Sequence, residues 1–268
     1  MRSICLLVVF YRYAMVAETG FRERDPKKVI AMSLYSNGSA HIWGALRNAQ
    51  LMPIMFPGWS LKIYTSRRSY IPERIILNLE RLGAVVVFLE SRTTKKIKPS
   101  LWSYLAADED EVEVFLIRRT NNRLNKRDYA VINHWLESKR PEGVITIKDH
   151  PNHANLTLID GLWGARAERL HSLLGKSSMR NLIEQHTVRS GGNNLELTSI
   201  LEYIYSKVQN DIVFYDSIMC DKPRSVPFPV LRQSYEYVGQ EYNSHEQTQI
   251  DDKYALLRRR NPKCEENI

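Results

Sequence analysis

Short apolar runs alternate along the chain with longer stretches whose apolar residues recur at helical spacing. The runs predict five strands, at 29–34, 61–64, 85–89, 114–117 and 144–147, of which the first is typical of a buried strand. The amphipathic stretches predict helices over 40–55, 72–83, 101–106 and 125–138. Strands that alternate with helices favour a mostly parallel central sheet with helices on both faces. The pattern therefore predicts a single α/β domain over residues 25–243.

The two ends of the chain differ from this pattern. Residues 1–24 contain an apolar run that Arg12 interrupts, and it is too short to span a membrane. It fits either the core of a secretory signal or a leader or buried strand with no targeting role, so the sequence leaves the localisation open. Residues 244–268 are polar and charged, which predicts a solvated C-terminal tail. Sequons at Asn37 and Asn155 do not decide the compartment.

Composition narrows the class of protein. A hydrophobic content of 43% and a charged content of 25% are ordinary globular values, which exclude a disordered chain. The net charge of +8 favours an anionic partner such as a nucleotide, a phosphate or nucleic acid. Cys5, Cys220 and Cys264 are few and far apart, so we expect neither a disulfide framework nor a cysteine-rich zinc module.

Ligands of open parallel sheets bind at the carboxyl ends of the strands, so we expect functional side chains in the loops that follow the strands. The loop that contains Tyr35 and Asn37 could hold a phosphate or a base edge beside a helix N-terminus, or could be an ordinary turn. Arg118, Arg119 and Arg123 follow the fourth strand. Guanidinium groups match phosphate oxygens, although a basic loop is more commonly a solvated one.

Later segments carry further candidates. Asp149 and His150 pair a carboxylate with an imidazole, as an acid or base requires. Pro151 makes a shared metal between His150 and His153 improbable. Trp163 could stack on a sugar or a base, or could be a core residue. Asp216 could be functional or could cap a turn.

Several short stretches, taken in order, resemble one family. They are Ser33-Leu34-Tyr35, Gly44 to Ala49, Phe56-Pro57-Gly58-Trp59, Leu105 to Asp108, Arg123 to Arg127, Asp149-His150-Pro151, Gly161 to Gly164, Asp216-Ser217, Pro227-Phe228-Pro229 and Val238-Gly239-Gln240. From about Val29 to Tyr242 the chain resembles glycosyltransferases that use a nucleotide-diphospho-sugar donor. The resemblance implies a Rossmann-like GT-A type domain and transfer of a sugar to an acceptor that the sequence does not name.

The resemblance also implies a divalent cation, Mn²⁺ or Mg²⁺, held by an Asp-x-Asp motif after the fourth strand. In this chain Arg119 and Asn121 hold the two aspartate positions. Tyr215 stands where the family tends to have histidine, and a family Asp-Gln is replaced near Glu196. A hard cation needs oxygen ligands, so we expect no metal ligands and no bound cofactor at this site.

Two main hypotheses follow from these departures. In the first, the protein is a glycosyltransferase in which arginines neutralise the departing diphosphate. Its donor site would use Tyr35, Asn37, Arg118, Arg119, Asn121, Arg123, His150 and Trp163, and its base would be Asp149, Asp160 or Asp216. In the second, the protein is a catalytically inactive relative that acts as a binding or partner protein. A nucleic-acid binder is a weaker third possibility, because the stacking motifs of common RNA modules are absent from the sequence.

Overall fold

The computed structural model describes residues 27–69, 71–138, 140–190, 196–248 and 261–264. The strands of this part are β1 (Lys27–Ser33), β2 (Ser60–Thr65), β3 (Val85–Phe88), β4 (Val112–Ile117), β5 (Val144–Lys148), β6 (Trp163–Arg166), β7 (Ile212–Asp216) and β8 (Ser225–Val226). Its helices are α1 (Ser39–Met55), α2 (Glu73–Arg81), α3 (Ser91–Lys96), α4 (Lys126–Glu137), α5 (Ala167–Leu173), α6 (Met179–Ser190) and α7 (Glu196–Val208). Residues Pro99–Asp108 form a long 3₁₀ segment.

These strands form a single sheet in the order β3-β2-β1-β4-β6-β5-β7-β8. β6 runs antiparallel to β4 and β5, and the remaining pairs are parallel. The predicted fold class, one α/β domain with a mostly parallel sheet, is confirmed. The carboxyl ends of β1 and β4, which are neighbours in the sheet, therefore open onto the same edge.

The sheet separates two apolar cores because successive side chains of a strand point to opposite faces. Val29 and Ala31 of β1 face the core that the 3₁₀ segment, α5, α6 and α7 cover. Ile30 and Met32 face the core that α1 and α4 cover. Both faces of the central strands are thus buried, which explains why these strands are apolar throughout rather than alternating.

A basic segment that lies outside the predicted helices forms a helix in the structure. The basic segment 92–98 contributes most of α3, which ends with Lys95 and Lys96 in its last turn. Positive side chains there complement the negative end of the helix dipole. Lysine and arginine are good helix formers, which favours a helix in this charged segment.

The described parts of the C-terminal tail contact the domain, in contrast to the solvated tail that the sequence predicts. Cys264 is buried and forms a disulfide with Cys220, 44 residues earlier. The described residues thus contain one disulfide between cysteines that are distant in the sequence, because the tail folds back onto the domain. In the described residues no helix is both long and apolar enough to cross a membrane. The leader 1–24 lies outside the described residues.

Candidate active site at the carboxyl edge of the sheet

A cavity of about 350 Å³ opens at the carboxyl ends of β1 and β4. It is called the first cavity below. Its polar lining comes from the end of β1 and the loop after it, the start of α1, the 3₁₀ segment, the loop after β4, the turn before β6 and the segment after β8: Ser33, Tyr35, His41, Ser100, Ser103, Arg118, Arg119, Thr120, Asn121, Asp160 and Glu241. The structure thus brings five of the predicted site residues together here, namely Tyr35, Arg118, Arg119, Asn121 and Asp160.

The two adjacent arginines after β4 have different surroundings. The backbone N–H of Arg118 donates to the carbonyl of Ala31, which continues the pairing of β4 with β1. The Arg118 side chain is buried and donates two hydrogen bonds to Asp128 of α4, at 2.9 and 2.7 Å. The side chain of Arg119 remains 47% exposed. Arg118 is therefore neutralised within the fold, and Arg119 brings its charge to the cavity.

Arg119 lies between two carboxylates. Its Nε donates to Oδ2 of Asp160 at 2.9 Å, and its Nη1 donates to Oε1 of Glu241 at 3.2 Å. Oδ1 of Asp160 accepts a further hydrogen bond, at 2.9 Å, from the hydroxyl of Tyr104. Burial acts to lower the pKa of Arg119, but the charges of Asp160 and Glu241 outweigh it and raise that pKa. The guanidinium therefore acts as a permanent cation at the cavity wall.

Gly161 makes room for this arginine. A Cβ at position 161 would lie 2.8 Å from Cγ of Arg119, closer than such atoms approach. The residue also has a φ of 77°, which L side chains rarely adopt. Both constraints favour glycine, and they place Asp160 against the guanidinium.

The loop after β4 is held by Asn48, a buried residue of α1. Its Nδ2 donates to the carbonyls of Asn122, at 2.7 Å, and Thr120, at 3.2 Å. Its Oδ1 accepts from the N–H of Leu124 at 3.1 Å. A Cβ on Gly44 would lie 2.1 Å from the Thr120 carbonyl oxygen, so α1 packs directly on the loop. The Gly44 to Ala49 stretch of the sequence resemblance thus shapes the cavity.

His41, in the first turn of α1, lines the cavity beside the loop after β4. Nδ1 of His41 lies 2.9 Å from Oγ1 of Thr120. Burial lowers the pKa of His41, against the opposing charge of Glu241, so its ring is neutral at pH 7. Tyr35 stands 41% exposed, with its ring edge-on to Trp102. No acidic side chain of α1 lies in its first turn, although the charge of Glu241 reaches His41 there.

Two other predicted donor residues lie away from the cavity. Arg123 donates two hydrogen bonds to Glu246 of the tail, at 3.0 and 2.6 Å, and its side chain is only 6% exposed. Its guanidinium carbon lies 5.1 Å from the centre of the Tyr242 ring. Asn37 is exposed on the loop before α1 and does not line the cavity. Arg123 therefore binds the tail and does not contribute its charge to the cavity.

Asp149 is fully buried and saturated with partners. Its carboxylate accepts hydrogen bonds from Arg127, Arg232 and the backbone N–H of Val238, at 2.6 to 2.9 Å. Burial acts to raise the pKa of Asp149, but the two arginines outweigh it and hold that pKa below its usual range. Its role as a base stays a prediction, and these contacts argue against it.

His150 and Trp163 are buried in contacts with the protein. Nδ1 of His150 accepts from the N–H of Asn152, and its ring lies 4.7 Å from that of Tyr237. Trp163 has no exposed surface and packs between Phe115 and Tyr104. A ligand cannot stack on a ring that the core already covers, so the contacts of Trp163 are those of a core tryptophan.

Asp216 ends β7 and lies outside the first cavity. Its Oδ1 accepts from the N–H groups of Ile218 and Met219, each at 2.8 Å, which is the contact pattern of a turn cap. Burial raises the pKa of Asp216, against these two hydrogen bonds and the charge of Lys148. Its catalytic role also stays a prediction.

The donor set at this site does not fit the divalent cation that the resemblance implies. Position 119 supplies a guanidinium and position 121 an amide, while the carboxylates of Asp160 and Glu241 bind Arg119. A cation beside Arg119 would be repelled. Throughout the described ranges, no group of three His, Cys, Asp or Glu side chains is placed to hold a metal ion.

Several residues of the cavity were not predicted from the sequence, among them His41 and Glu241. Glu241 directly follows the Val238-Gly239-Gln240 stretch, and the bridge between Asn122 and Glu241 brings it to the loop after β4. The acidic side chain of Glu241, next to a stretch that the resembled family shares, was the signal that could have indicated a site residue. Its partner Arg119 lies 122 positions away, so the pairing could not be read from the sequence.

Comparison with known proteins gives a fold likeness without a close relative. No family model matches the chain, and no curated protein matches it. Glucosyl-3-phosphoglycerate synthase from Mycobacterium tuberculosis, solved with Mg²⁺ and UDP, aligns at 12% identity and a TM-score of 0.39. That alignment covers 58% of this chain and 64% of the synthase chain, so the chain spans less than two thirds of that protein.

Two other solved structures align over more of the chain. One is a glycosyltransferase that acts in glycosylation of the major capsid of PBCV-1, at 12% identity and a TM-score of 0.44, covering 72% of this chain and 82% of that one. The other is mouse xyloside xylosyltransferase 1, at 9% identity and a TM-score of 0.43, covering 70% and 84%. At these values the likeness concerns the fold, and no chemistry of this site is inferred from it.

Proposed function

We propose that the first cavity binds a nucleotide-diphospho-sugar and that the protein transfers the sugar to an acceptor, with Arg119 in place of the usual cation. One observation carries the proposal: the half-exposed guanidinium of Arg119 lines the same cavity as His41, in the first turn of α1. The arginine favours an anion through its charge and its N–H donors. The sequence resemblance supplies the expectation that this anion is a diphosphate.

Arg119 can meet a diphosphate because its pairing with Glu241 is weak. Both side chains of that pair are about half exposed, at 47% and 50%. Exposed ion pairs contribute about 0–1 kcal/mol, so phosphate oxygens can replace the Glu241 carboxylate. Asp160, which is 14% exposed, keeps the guanidinium in place. A fixed cation beside the leaving diphosphate stabilises the charge that develops when the sugar departs.

The remaining residues take supporting roles in this proposal. Tyr35 offers an exposed ring against which a nucleobase can stack, and His41 and Thr120 offer hydrogen bonds beside it. Among the three candidate bases, Asp160 lines the cavity, while Asp149 and Asp216 do not. Asp160 is therefore the carboxylate that we propose for accepting the proton of the acceptor hydroxyl.

A specific observation favours the catalytically inactive alternative. Arg119 already faces two carboxylates, and the buried Arg118 is balanced by Asp128. The charged side chains around the first cavity therefore sum to about −1, which weakens the attraction for a diphosphate. In this alternative the protein keeps the fold and binds a nucleotide sugar or a partner without transferring a sugar.

Calorimetric titration with UDP-glucose, UDP-xylose and GDP-mannose, in EDTA and in Mn²⁺, tests both proposals. Arg119→Ala should weaken donor binding about 10- to 100-fold, since a hydrogen bond to a charged group contributes about 1.5–3 kcal/mol. Arg169→Ala is the matched control: that arginine is also half exposed and paired with an aspartate, Asp211, but lies at the opposite edge of the sheet.

Release of nucleoside diphosphate separates the two candidates. Release in EDTA supports transfer with Arg119 as the cation. Binding without release, with or without a glycoside acceptor present, supports the inactive relative. If none of the three donors binds, or if Arg119→Ala and Arg169→Ala bind equally well, the donor site is placed wrongly.

A further inference from the structure

A second cavity, of about 570 Å³, adjoins the same Arg119 cluster. Its wall shares Arg119, Asp160, Leu197 and Glu241 with the first cavity. The two spaces therefore adjoin at one guanidinium and its two carboxylates. Groups bound in the two cavities would meet at this cluster, as the two substrates of a transfer reaction must.

The lining of the second cavity has a distinct chemistry. Exposed amides and hydroxyls form its rim, among them Asn152, Asn155 and Thr157. Buried aliphatic side chains form its floor, including Leu158, Ile159 and Leu162. Such a surface offers hydrogen bonds to hydroxyl groups above an apolar base.

The charges around this cavity disfavour an anion. Asp160, Glu202 and Glu241 contribute three carboxylates, against the single cation of Arg119. His153 adds no charge at neutral pH, because burial, reinforced by His150, lowers its pKa to about 4. The charged side chains among the described residues of this lining therefore sum to about −2, one unit more negative than around the first cavity, which disfavours a phosphate or carboxylate here.

We propose, resting on the function proposed above, that the second cavity holds the acceptor and that the acceptor is an uncharged molecule with hydroxyl groups beside an apolar part. In the transfer, a bond forms between the acceptor oxygen and the anomeric carbon of the sugar. The bond from that carbon to the diphosphate oxygen breaks, and its electron pair leaves with the nucleoside diphosphate. The hydroxyl proton passes to Asp160, which reaches both cavities.

Octyl β-D-glucopyranoside and octyl β-D-glucuronide, used below their micelle concentrations, are a matched pair of probes. They differ by one carboxylate, and saturation-transfer NMR reports the binding of each. We expect the glucoside to bind at least about fivefold more tightly, the effect of one close pair of like charges in a watery site. The glucoside should also increase the release of nucleoside diphosphate from a bound donor.

Two tryptophan substitutions on α7 locate the probe. Thr198→Trp places a bulky ring in the second cavity and should abolish glucoside binding, while donor affinity changes less than about twofold because Thr198 does not line the first cavity. Ser206→Trp, an exposed position on the same helix outside both cavities, is the control and should leave both affinities unchanged.

Each outcome decides the proposal. It is overturned if the glucuronide binds as well as the glucoside, if Thr198→Trp leaves glucoside binding unchanged, or if donors bind while the glucoside does not. If the wild-type protein binds no donor, the proposed function fails, and the acceptor role fails with it. Donor binding combined with glucoside binding that Thr198→Trp removes supports both.

Discussion

Two arginine–aspartate clusters at the carboxyl edge of the sheet use the same ionic chemistry in different surroundings. Asp149, Arg127 and Arg232 are buried, and the Asp149 carboxylate has no exposed surface. Asp160, Arg119 and Glu241 line a cavity, where the Arg119 side chain is about half exposed. The buried carboxylate is committed to structural partners, whereas the exposed cluster keeps a cation in reach of a ligand. Burial, rather than residue type, separates the two roles.

The buried cluster also helps to build the exposed one. Asp149 accepts hydrogen bonds from Arg232 and from the N–H of Val238, so it fixes the segment that leads to Glu241. Nδ2 of Asn122 donates to the Gly239 carbonyl at 2.6 Å, which ties that segment to the loop after β4. Damage to the first cluster should therefore displace Glu241, while damage to the second should leave the first intact.

The largest expected effect is that of Asp149→Asn on stability. Loss of this charge leaves Arg127 and Arg232 buried without their carboxylate, which should lower the free energy of unfolding by about 3–5 kcal/mol. Urea denaturation measures the loss, with Asp160→Asn as the control at about 1 kcal/mol or less. A loss for Asp149→Asn no larger than that of the control would remove the distinction between the clusters.

The pH dependence of stability should follow from the same carboxylate. The pKa of Asp149 is lower in the folded protein than its unfolded value of about 3.9. Its stabilisation is therefore complete above about pH 4 and is lost as the pH falls through the folded pKa. Urea denaturation between pH 2 and pH 6 should show a steep acid limb in the wild type and a shallower one in Asp149→Asn; equal limbs would contradict the assignment.

Loss of the disulfide should have the next largest effect on stability, because the disulfide joins Cys264 of the tail covalently to Cys220. The carbonyl of Cys264 accepts from the N–H of Phe228, in the segment that the buried cluster also fixes. Cys264→Ser should lower the free energy of unfolding by about 2–4 kcal/mol. Thiol titration of the unfolded, unreduced chain should find one free thiol where the reduced chain has three; three free thiols before reduction would contradict the pairing.

A smaller effect is expected for Gly161→Ala, which tests the exposed cluster alone. The added Cβ would meet Cγ of Arg119 and would strain a residue with positive φ. The stability loss should be about 1–2 kcal/mol. Donor affinity should fall as Arg119 moves, whereas Gly175→Ala, also at positive φ but with open space around its Cβ, should cost stability and leave donor affinity unchanged. If Gly161→Ala binds the donor as tightly as the wild type does, Gly161 does not position Arg119.

The sequence predicted the fold better than the site. All five predicted strands were found within two residues of their predicted bounds, because short apolar runs mark strands. β6, β7 and β8 were not predicted. In β6 the glycine and the arginine carry no strand pattern. Gly164 stands there because a Cβ would lie 2.5 Å from the carbonyl oxygen of Phe115.

The site was predicted in part, for reasons that its arginines illustrate. Arg118, Arg119 and Arg123 look alike in the sequence, yet their directions depend on carboxylates elsewhere. Arg118 forms an ion pair with Asp128 of α4, and Arg123 forms one with Glu246 of the tail. Among the described residues, Arg119 is the one of the three whose carboxylate partners line the cavity. These partners are distant in sequence, so a local pattern could not distinguish the three.

A variant with carboxylates at positions 119 and 121 tests most directly the claim that Arg119 serves as the cation of the donor site. Manganese and UDP binding would be measured by calorimetry for the wild type and for Arg119→Asp combined with Asn121→Asp. The account predicts that the wild type binds UDP equally well in EDTA and in Mn²⁺, while the double variant binds Mn²⁺ and needs it to bind UDP. Wild-type UDP binding that requires Mn²⁺, or a double variant that binds UDP in EDTA as tightly as the wild type, would contradict it.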